Sequence, residues 1–576
     1  MTPPPRTPFD RDSALARLGE EQFDVLVVGG GITGAGVALD AASRGLRTAL
    51  VERHDFASGT SSKSSKLVHG GLRYLQQKEY FLVYENLAER QRLLNNAPHL
   101  VSPLPFLIPI FGRKGVVNKT VAKAYSTALW LYDLTGGLRI GKRHKRVSID
   151  EALSHMPTLN RDLLVAGFLY YDARADDARL TLTIARTAVL DHGAVIANYS
   201  PVVALLKDDK GDTCGARLAD GTEVKARAVV NAAGVWVDEV RTLDEGKDPD
   251  SLRPAKGIHL AVPYDKVPCD IAAVVPVPAD RRSIFVVPWG DRVYLGTTDT
   301  DYDGPIDDPQ VTPEDVDYVL GAINLFVTQP LTRADVLGTW AGLRPLMKGA
   351  GSERTADLSR RHSVFTSKSG VVTVTGGKLT TYRRMAADTV DEVVKHLGKG
   401  GERVLRRSPT KKLPLRGATG IDSLRQPDAA SRMDVDKSTL EHLVGRYGSE
   451  ARTVVAMLEA DPDLARPLVP GLPYLRAEAV YAARYEMALT LEDVLSRRTR
   501  ALLLARDASA AVALDVAHLV APELGWNPDE VRHQVSGYLE IVAKERESAD
   551  LPETGTTPAA PEASVHGAPT PSAAEA

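Results

Sequence analysis

Asp24-Val25-Leu26-Val27-Val28-Gly29-Gly30-Gly31-Ile32-Thr33-Gly34 decides how this chain folds. The first five residues have the apolar character and length of a buried strand, and helical spacing resumes in Ala35-Gly36-Val37-Ala38-Leu39-Asp40-Ala41-Ala42. Between them, Gly29 permits a tight turn, Gly31 lets backbone N–H groups approach a pyrophosphate, and Gly34 allows close packing of helix on strand. A second apolar run, Thr48 to Glu52, ends in an acid 18 residues beyond Gly34. A carboxylate there can accept both hydroxyl protons of a ribose. Strand, glycine turn, helix and terminal acid follow one another as in a dinucleotide site, and Glu52 disfavours a 2′-phosphate.

Two later segments favour FAD over a nicotinamide cofactor. Val229-Val230-Asn231-Ala232-Ala233-Gly234 is a buried-type strand running into small residues, where a chain can pass close to a ligand. Val371-Val372-Thr373-Val374-Thr375-Gly376-Gly377-Lys378-Leu379-Thr380-Thr381 is a third strand-to-helix junction. The positive end of a helix starting there suits the electron-rich edge of a reduced flavin. Three separated junctions fit a cofactor bound in extended form; the plainer alternative is three ordinary turns.

Around these junctions the chain is long enough, at 576 residues, for two to four domains. Apolar residues make up 43% and charged residues 25%, with a formal net charge of −3, which argues against a general nucleic-acid partner. Two cysteines, Cys214 and Cys269, are too few for a disulfide framework or a cysteine-based metal site, so no metal is expected and a reducing compartment is the simpler reading. No run of about 20 uncharged apolar residues predicts a bilayer span, and the N-terminus lacks the apolar core of a signal peptide.

Alternating strand and helix patterns predict an α/β body over residues 21–400, with strands at Asp24–Val28, Thr48–Glu52, Ala228–Asn231, Ile284–Pro288, Arg292–Gly296 and Val371–Thr375. Residues 401–550 read as a separate helical domain. The Pro-rich residues 1–20 read as a flexible lead, and residues 551–576, poor in large apolar side chains, as a disordered tail.

Further motifs carry a family resemblance. They are Ser58-Gly59-Thr60-Ser61-Ser62-Lys63-Ser64-Ser65-Lys66-Leu67-Val68-His69-Gly70-Gly71-Leu72-Arg73-Tyr74-Leu75, Leu295-Gly296-Thr297-Thr298-Asp299, Gly342-Leu343-Arg344-Pro345-Leu346, Gly376 to Arg383, and Glu486 to Arg500. Together with the glycine turn they span positions 24 to 500. The chain resembles the aerobic, FAD-dependent glycerol-3-phosphate dehydrogenases. The resemblance implies an FAD-binding Rossmann-like domain interleaved with a β-rich substrate domain, plus a C-terminal α-helical domain. It implies oxidation of sn-glycerol 3-phosphate to dihydroxyacetone phosphate, by hydride transfer from C2 to flavin N5, with electrons passing to a membrane quinone. The cofactor set it suggests is Gly29, Gly31, Gly34, Glu52, Arg53, Thr60, Ser61, Ser65, Leu67, Gly70, Gly71, Ala233, Gly234, Gly377, Lys378, Leu379 and Thr380.

The substrate is a small dianion, so cations should hold its phosphate and a base should take the hydroxyl proton. Arg344 in an apolar-flanked segment, Lys378 at a helix start, Arg73 and Arg360 are the candidate cations, with Arg361 as the alternative to Arg360. Arg73 follows His69 by four residues, one helical face if that segment is helical. His259 is the candidate base, with His69 its competitor; Tyr74 and Asp299 complete the substrate set, Asp299 orienting a histidine or binding a hydroxyl.

Arg113 to Val147 contains nine Lys or Arg residues against the single acid Asp133, and includes the apolar run Ala128-Leu129-Trp130-Leu131-Tyr132. This predicts contact with an anionic lipid surface and a cytoplasmic protein held peripherally at the cytoplasmic membrane; the alternative is a solvated basic face. A homodimer stays open. Rival readings are an oxidase that returns electrons to O₂, an amino-acid or sarcosine oxidase, and a non-catalytic FAD-binding protein.

Overall fold

Gln22–Val28 lies inside an 8-stranded sheet, bonded in parallel to Thr48–Val51 on one side and Glu223–Asn231 on the other. In this computed structural model, residues 9–72, 74, 79–112, 119–278, 282–348, 362–398 and 407–554 are described. Val195–Ala197 and Val372–Thr375 extend the parallel order outward. Helices Ile32–Ser43, Asp177–Leu190 and Tyr382–Gly398 cover the sheet, which explains why its central strands are continuously apolar and not alternating.

A second sheet has 10 strands and is mostly antiparallel. Val101–Phe111 pairs along its length with Leu164–Ala175, and Leu252–Pro263 pairs with both Gly338–Met347 and Arg292–Gly296. The chain crosses between the two sheets repeatedly: residues 22–51 build the first, 67–175 the second, 195–231 the first, 252–347 the second and 363–375 the first. The interleaving inferred from the family resemblance is therefore present. It places loops of distant sequence origin along one seam.

From residue 429 onward the described elements are helical, including Lys437–Tyr447, Arg476–Tyr485, Ala513–Leu524 and Pro528–Ser548. The last begins with Asn527 capping the Glu530 N–H and Pro528 in its first turn, where a missing N–H costs nothing. This part joins the sheets through buried ion pairs. Arg497 and Arg498 both reach Asp55, Arg179 reaches Glu486, and Arg500 reaches Asp176 and Asp177. Buried charges are tolerated because each is paired; removing one partner would strand the other.

Two boundary expectations need correction. Arg11–Glu20 is a helix, capped by Asp10 and anchored by the buried Phe9 and Leu18, so these residues are no flexible lead. Apolar anchors inside a Pro-rich stretch were outweighed by its composition. Leu551 is buried, and the Thr554 N–H and hydroxyl both donate to Asp507 at 2.7 Å, so order continues past 551. Residues 1–8 and 555–576 lie outside the described residues.

Candidate active site

The glycine turn opens one end of a cavity of about 1010 Å³ along the seam between the sheets. Gly29 has φ +111°, and a Cβ there would sit 2.7 Å from the Ala232 carbonyl oxygen. Gly34 lies under the Gly29 carbonyl, where a Cβ would fall 1.8 Å from the oxygen. Only glycines allow the strand, the turn and the helix to close on each other. Gly31 caps helix Ile32–Ser43 with no side-chain hydrogen bond, leaving the helix end facing the cavity. Glu52 directly follows the next strand, accepting the Gly30 N–H at 2.5 Å and the His54 N–H at 2.9 Å. Burial pushes its pKa up against the pull of these two N–H groups.

The Ser-rich segment forms the middle wall. Ser61 Oγ accepts the Ile32 N–H at 2.9 Å, tying the segment to the glycine helix. Thr60 Oγ1 donates to the Leu343 carbonyl at 2.6 Å, and Tyr294 Oη donates to the Ser65 carbonyl at 2.7 Å. Arg53 lies over the Trp236 ring and pairs with Glu239 and Asp307.

The third junction closes the far end. Gly376 and Gly377 have φ +75° and +78°, and Lys378 caps the short turn Leu379–Thr381 that leads into Tyr382–Gly398. The Lys378 ammonium stands 3.7 Å from the centre of the Tyr74 ring.

Strand pairing brings His259 and Arg344 to the same cavity. His259 stands opposite Gly296 and Trp340, and Arg344 opposite Ala255. The imidazole stacks on Trp340, with centroids 4.8 Å apart at 13°, and its Nε2 lies 3.0 Å from Ser65 Oγ. His259 is 1% exposed, and its buried Nδ1 has no hydrogen-bond partner among the described residues. Burial, then the positive charges of Lys66 and Arg344, hold its pKa well below the usual imidazole range. The ring is therefore neutral at physiological pH. Arg344 donates to Asp299 at 3.2 Å, to Thr297 Oγ1 at 3.0 Å and to the Thr298 carbonyl at 3.1 Å.

Most expected site residues line this single cavity: Gly29, Gly31, Glu52, Arg53, Thr60, Ser61, Ser65, Leu67, His69, Gly71, Tyr74, Ala233, Gly234, His259, Asp299, Arg344, Gly377, Lys378, Leu379 and Thr380. Gly34 and Gly70 do not. Gly34 serves packing alone, and Gly70 sits behind the wall, its N–H donating to Tyr132 Oη and Asp172 and its carbonyl accepting from Asn86. His69 is not on a helix; it follows the strand Leu67–Val68 and runs into the Gly71 turn, with φ +80°. The four-residue spacing to position 73 therefore marks no helical face. Arg73, Arg360 and Arg361 lie outside the described residues. Asp299 pairs with Arg344 and is not the orienting partner seen at His259 Nε2, a place taken by Ser65.

Sequence reading missed Gly257 and Trp236. A Cβ at 257 would meet the Arg344 guanidinium at 2.6 Å, so this glycine makes the room in which that group lies. Trp236 packs its ring against Gly59 and donates to Asp307 at 2.7 Å. Neither carries a local signal, because both requirements come from residues far along the chain.

An elongated dinucleotide fits the cavity. The closed glycine turn, the helix end whose cap residue is the side-chain-less Gly31, Glu52, and the open space around Gly234, where a Cβ would meet nothing within 4 Å, supply one end. Its volume lies at the top of the range of roughly 300–1,000 Å³ seen for small-molecule sites, leaving room beside His259 and Arg344 for a small second ligand.

Residues 24–383 match the family described as FAD dependent oxidoreductase, and residues 408–531 match the C-terminal domain of alpha-glycerophosphate oxidase. Glycerol-3-phosphate dehydrogenase 2 of Mycobacterium tuberculosis is 42% identical over 554 residues, covering 95% of this chain and 92% of that protein. The mitochondrial glycerol-3-phosphate dehydrogenase of Homo sapiens is 38% identical, covering 92% of this chain and 74% of that one. Among solved structures, the glycerol-3-phosphate dehydrogenase from Bacillus halodurans complexed with FAD superimposes with a TM-score of 0.73 at 33% identity, covering 93% of this chain and 97% of that chain.

Proposed function

Since the chain belongs to the FAD-dependent glycerol-3-phosphate dehydrogenases, we propose that its cavity holds FAD from the Gly29–Glu52 end to the Lys378–Thr380 end, with glycerol 3-phosphate between His259, Arg344 and Lys378. The enzyme oxidises glycerol 3-phosphate to dihydroxyacetone phosphate with FAD as cofactor. The observation carrying the site assignment is that one cavity joins the glycine turn to this cluster.

FAD, when bound, supplies the two-electron acceptor for the hydride leaving C2. The chain's own residues do the rest. Arg344 is fixed by Asp299, Thr297 and Thr298 before substrate arrives, so little ordering is left to do when its planar fork meets the phosphate. Lys378 adds a second positive charge at the flavin end. His259 lines the cavity but is only 1% exposed, whereas Ser65, half-buried and with its Oγ 3.0 Å from His259 Nε2, is the more open of the two to the substrate hydroxyl. The C2 hydroxyl gives its proton to Ser65 Oγ as the Ser65 proton passes to His259 Nε2. The dianionic phosphate near Arg344 offsets part of the positive field that lowers the imidazole's proton affinity.

Electrons then leave to a membrane quinone. Supporting this is an exposed apolar patch on two helices, Tyr80–Asn96 and Lys119–Leu134. Phe81, 85% exposed, stands with the exposed Tyr80 and Tyr84 on the first helix, and Leu134, 72% exposed, with the exposed Trp130 on the second. Arg139 lies over Tyr84 and Arg143 over Trp130, while Lys142, Lys145 and Arg146 are exposed next to them. Aromatic residues beside basic ones suit the headgroup layer of an anionic membrane, and among the described residues no helix is long and apolar enough to cross one. Ala128–Tyr132 contributes only in part, since Leu129 and Tyr132 point inward.

Anaerobic addition of glycerol 3-phosphate to purified holoenzyme should bleach the flavin absorbance, and a quinone analogue should restore it faster than oxygen does. Absence of bleaching overturns the substrate site; faster recovery with oxygen favours an oxidase.

A further inference from the structure

Arg497-Arg498-Thr499-Arg500 runs across the end of a π-helical turn, Asp493–Arg498, in the C-terminal part of the chain, and its three arginines are buried. Their paths diverge. Arg497 and Arg498 run to Asp55. Arg500, 1% exposed, donates to Asp176 and Asp177, both at 2.5 Å. Asp177, fully buried, also accepts the Ser64 N–H at 3.0 Å, the Ser64 hydroxyl at 2.7 Å and the Lys66 ammonium at 2.9 Å. Lys66 in turn donates to the Ser62 carbonyl at 2.9 Å and lies over Trp340, the ring on which His259 stacks. Trp340 Nε1 donates to the Ser64 carbonyl at 3.2 Å.

Residue 65 therefore sits between two residues locked to one carboxylate, and that carboxylate is itself locked by Arg500. We propose that Arg500 is a positioning residue of the active site: acting through Asp177, it holds segment 62–66 so that Ser65 Oγ meets His259 Nε2 and the cavity wall keeps its shape. This gives the C-terminal part a role in the chemistry of a site that none of its described residues lines. Without the guanidinium, Asp177 would keep its negative charge facing only Lys66, and the segment would relax toward whichever donors remain. The proposal rests on the assignment of FAD and substrate to this cavity.

The test compares four holoenzymes: wild type, Arg500→Met, Arg500→Lys and Arg186→Met. Arg186 is a fitting control. It is buried on the same helix, Asp177–Leu190, and bridges to the C-terminal part through Glu450, but it does not reach segment 62–66. The readouts are thermal stability, the visible circular dichroism of bound flavin, FAD affinity after reconstitution, and the anaerobic rate of flavin reduction by glycerol 3-phosphate. Arg500→Met should change the flavin dichroism and slow reduction roughly 10- to 100-fold, the scale of a misplaced catalytic group. Arg186→Met should lose comparable stability with the dichroism unchanged and the rate within about threefold, and Arg500→Lys should recover part of both. A folded Arg500→Met with wild-type dichroism and rate overturns the proposal, as does an equal loss in Arg186→Met. If Arg500→Met does not fold, Ser64→Ala decides: it should shift the dichroism in the same sense, and an unchanged spectrum and rate overturn the proposal. If glycerol 3-phosphate fails to reduce the wild type, the substrate assignment falls, while dichroism and FAD affinity still decide the part played by Arg500.

Discussion

The Arg344 guanidinium donates to Asp299 Oδ1 at 3.2 Å, so the cation best placed for a phosphate is held by an acid of its own chain. Part of its charge is spent on that acid, yet its geometry is settled in advance. Arg344→Ala should raise KM for glycerol 3-phosphate roughly 10- to 100-fold, since each charged hydrogen bond contributes about 1.5–3 kcal/mol, with FAD retained. Asp299→Asn, which keeps the shape and loses the charge, should raise KM less. Steady-state kinetics with the flavin content measured alongside would check both; an unchanged KM in Arg344→Ala removes it from the phosphate site.

Gly34→Ala should abolish cofactor loading. The added Cβ meets the Gly29 carbonyl oxygen at 1.8 Å, a backbone atom that can retreat only by opening the strand–turn–helix unit. Gly445→Ala, inside helix Lys437–Tyr447 with nothing within 4 Å of the new methyl, should instead stabilise by about 0.5–1 kcal/mol. Flavin-to-protein ratio and melting temperature separate the two outcomes.

Glu545 predicts how stability varies with pH. It accepts the Thr339 N–H at 2.7 Å and hydroxyl at 3.1 Å, and burial pushes its pKa up to about 7 from 4.5, against the pull of Arg506. A raised carboxyl pKa means the folded state holds the proton more tightly than the unfolded one. The associated stability is fully present below about pH 4.5 and is lost as pH rises through 7. Glu545→Gln, neutral at every pH, should gain on the wild type by up to about 3 kcal/mol from pH 5 to pH 8. Melting curves across that range would show the gap widening; a constant gap would mean Glu545 is ionised throughout.

Membrane docking should need both the apolar patch and the basic segment. Wild-type protein should float with anionic vesicles and be released by salt. Phe81→Ser with Leu134→Ser should weaken binding by an order of magnitude or more, as burying one large apolar side chain contributes about 1.5–3 kcal/mol. Flotation of the double variant indistinguishable from wild type would place the contact elsewhere.

Much of the site was legible because its parts are local. The glycine turn, Glu52 and the Gly376–Lys378 junction each announce themselves within a few residues, since tight turns and helix starts restrict which side chains fit. Gly257 was not legible. Its requirement is the Arg344 guanidinium, 87 positions away and brought close by the pairing of their two strands. His69 lies outside a helix for a related reason: Asn86, Tyr132 and Asp172 hold the neighbouring Gly70 by hydrogen bonds from far along the chain, overriding any local preference.

By itself the sequence determined the dinucleotide turn, the place along the chain of several strands of the first sheet and the set of basic residues available to a small dianion, because short-range sterics and apolar periodicity suffice for these. Only the tertiary structure decided that Asp299 pairs with Arg344, that His259 Nε2 meets Ser65 Oγ, and that Arg500 and Ser64 share Asp177. Each of these pairings joins residues 45 to 323 positions apart. A buried charge accepts whichever partner the packed sheets deliver, and nothing in the neighbouring residues of the chain specifies which one that will be.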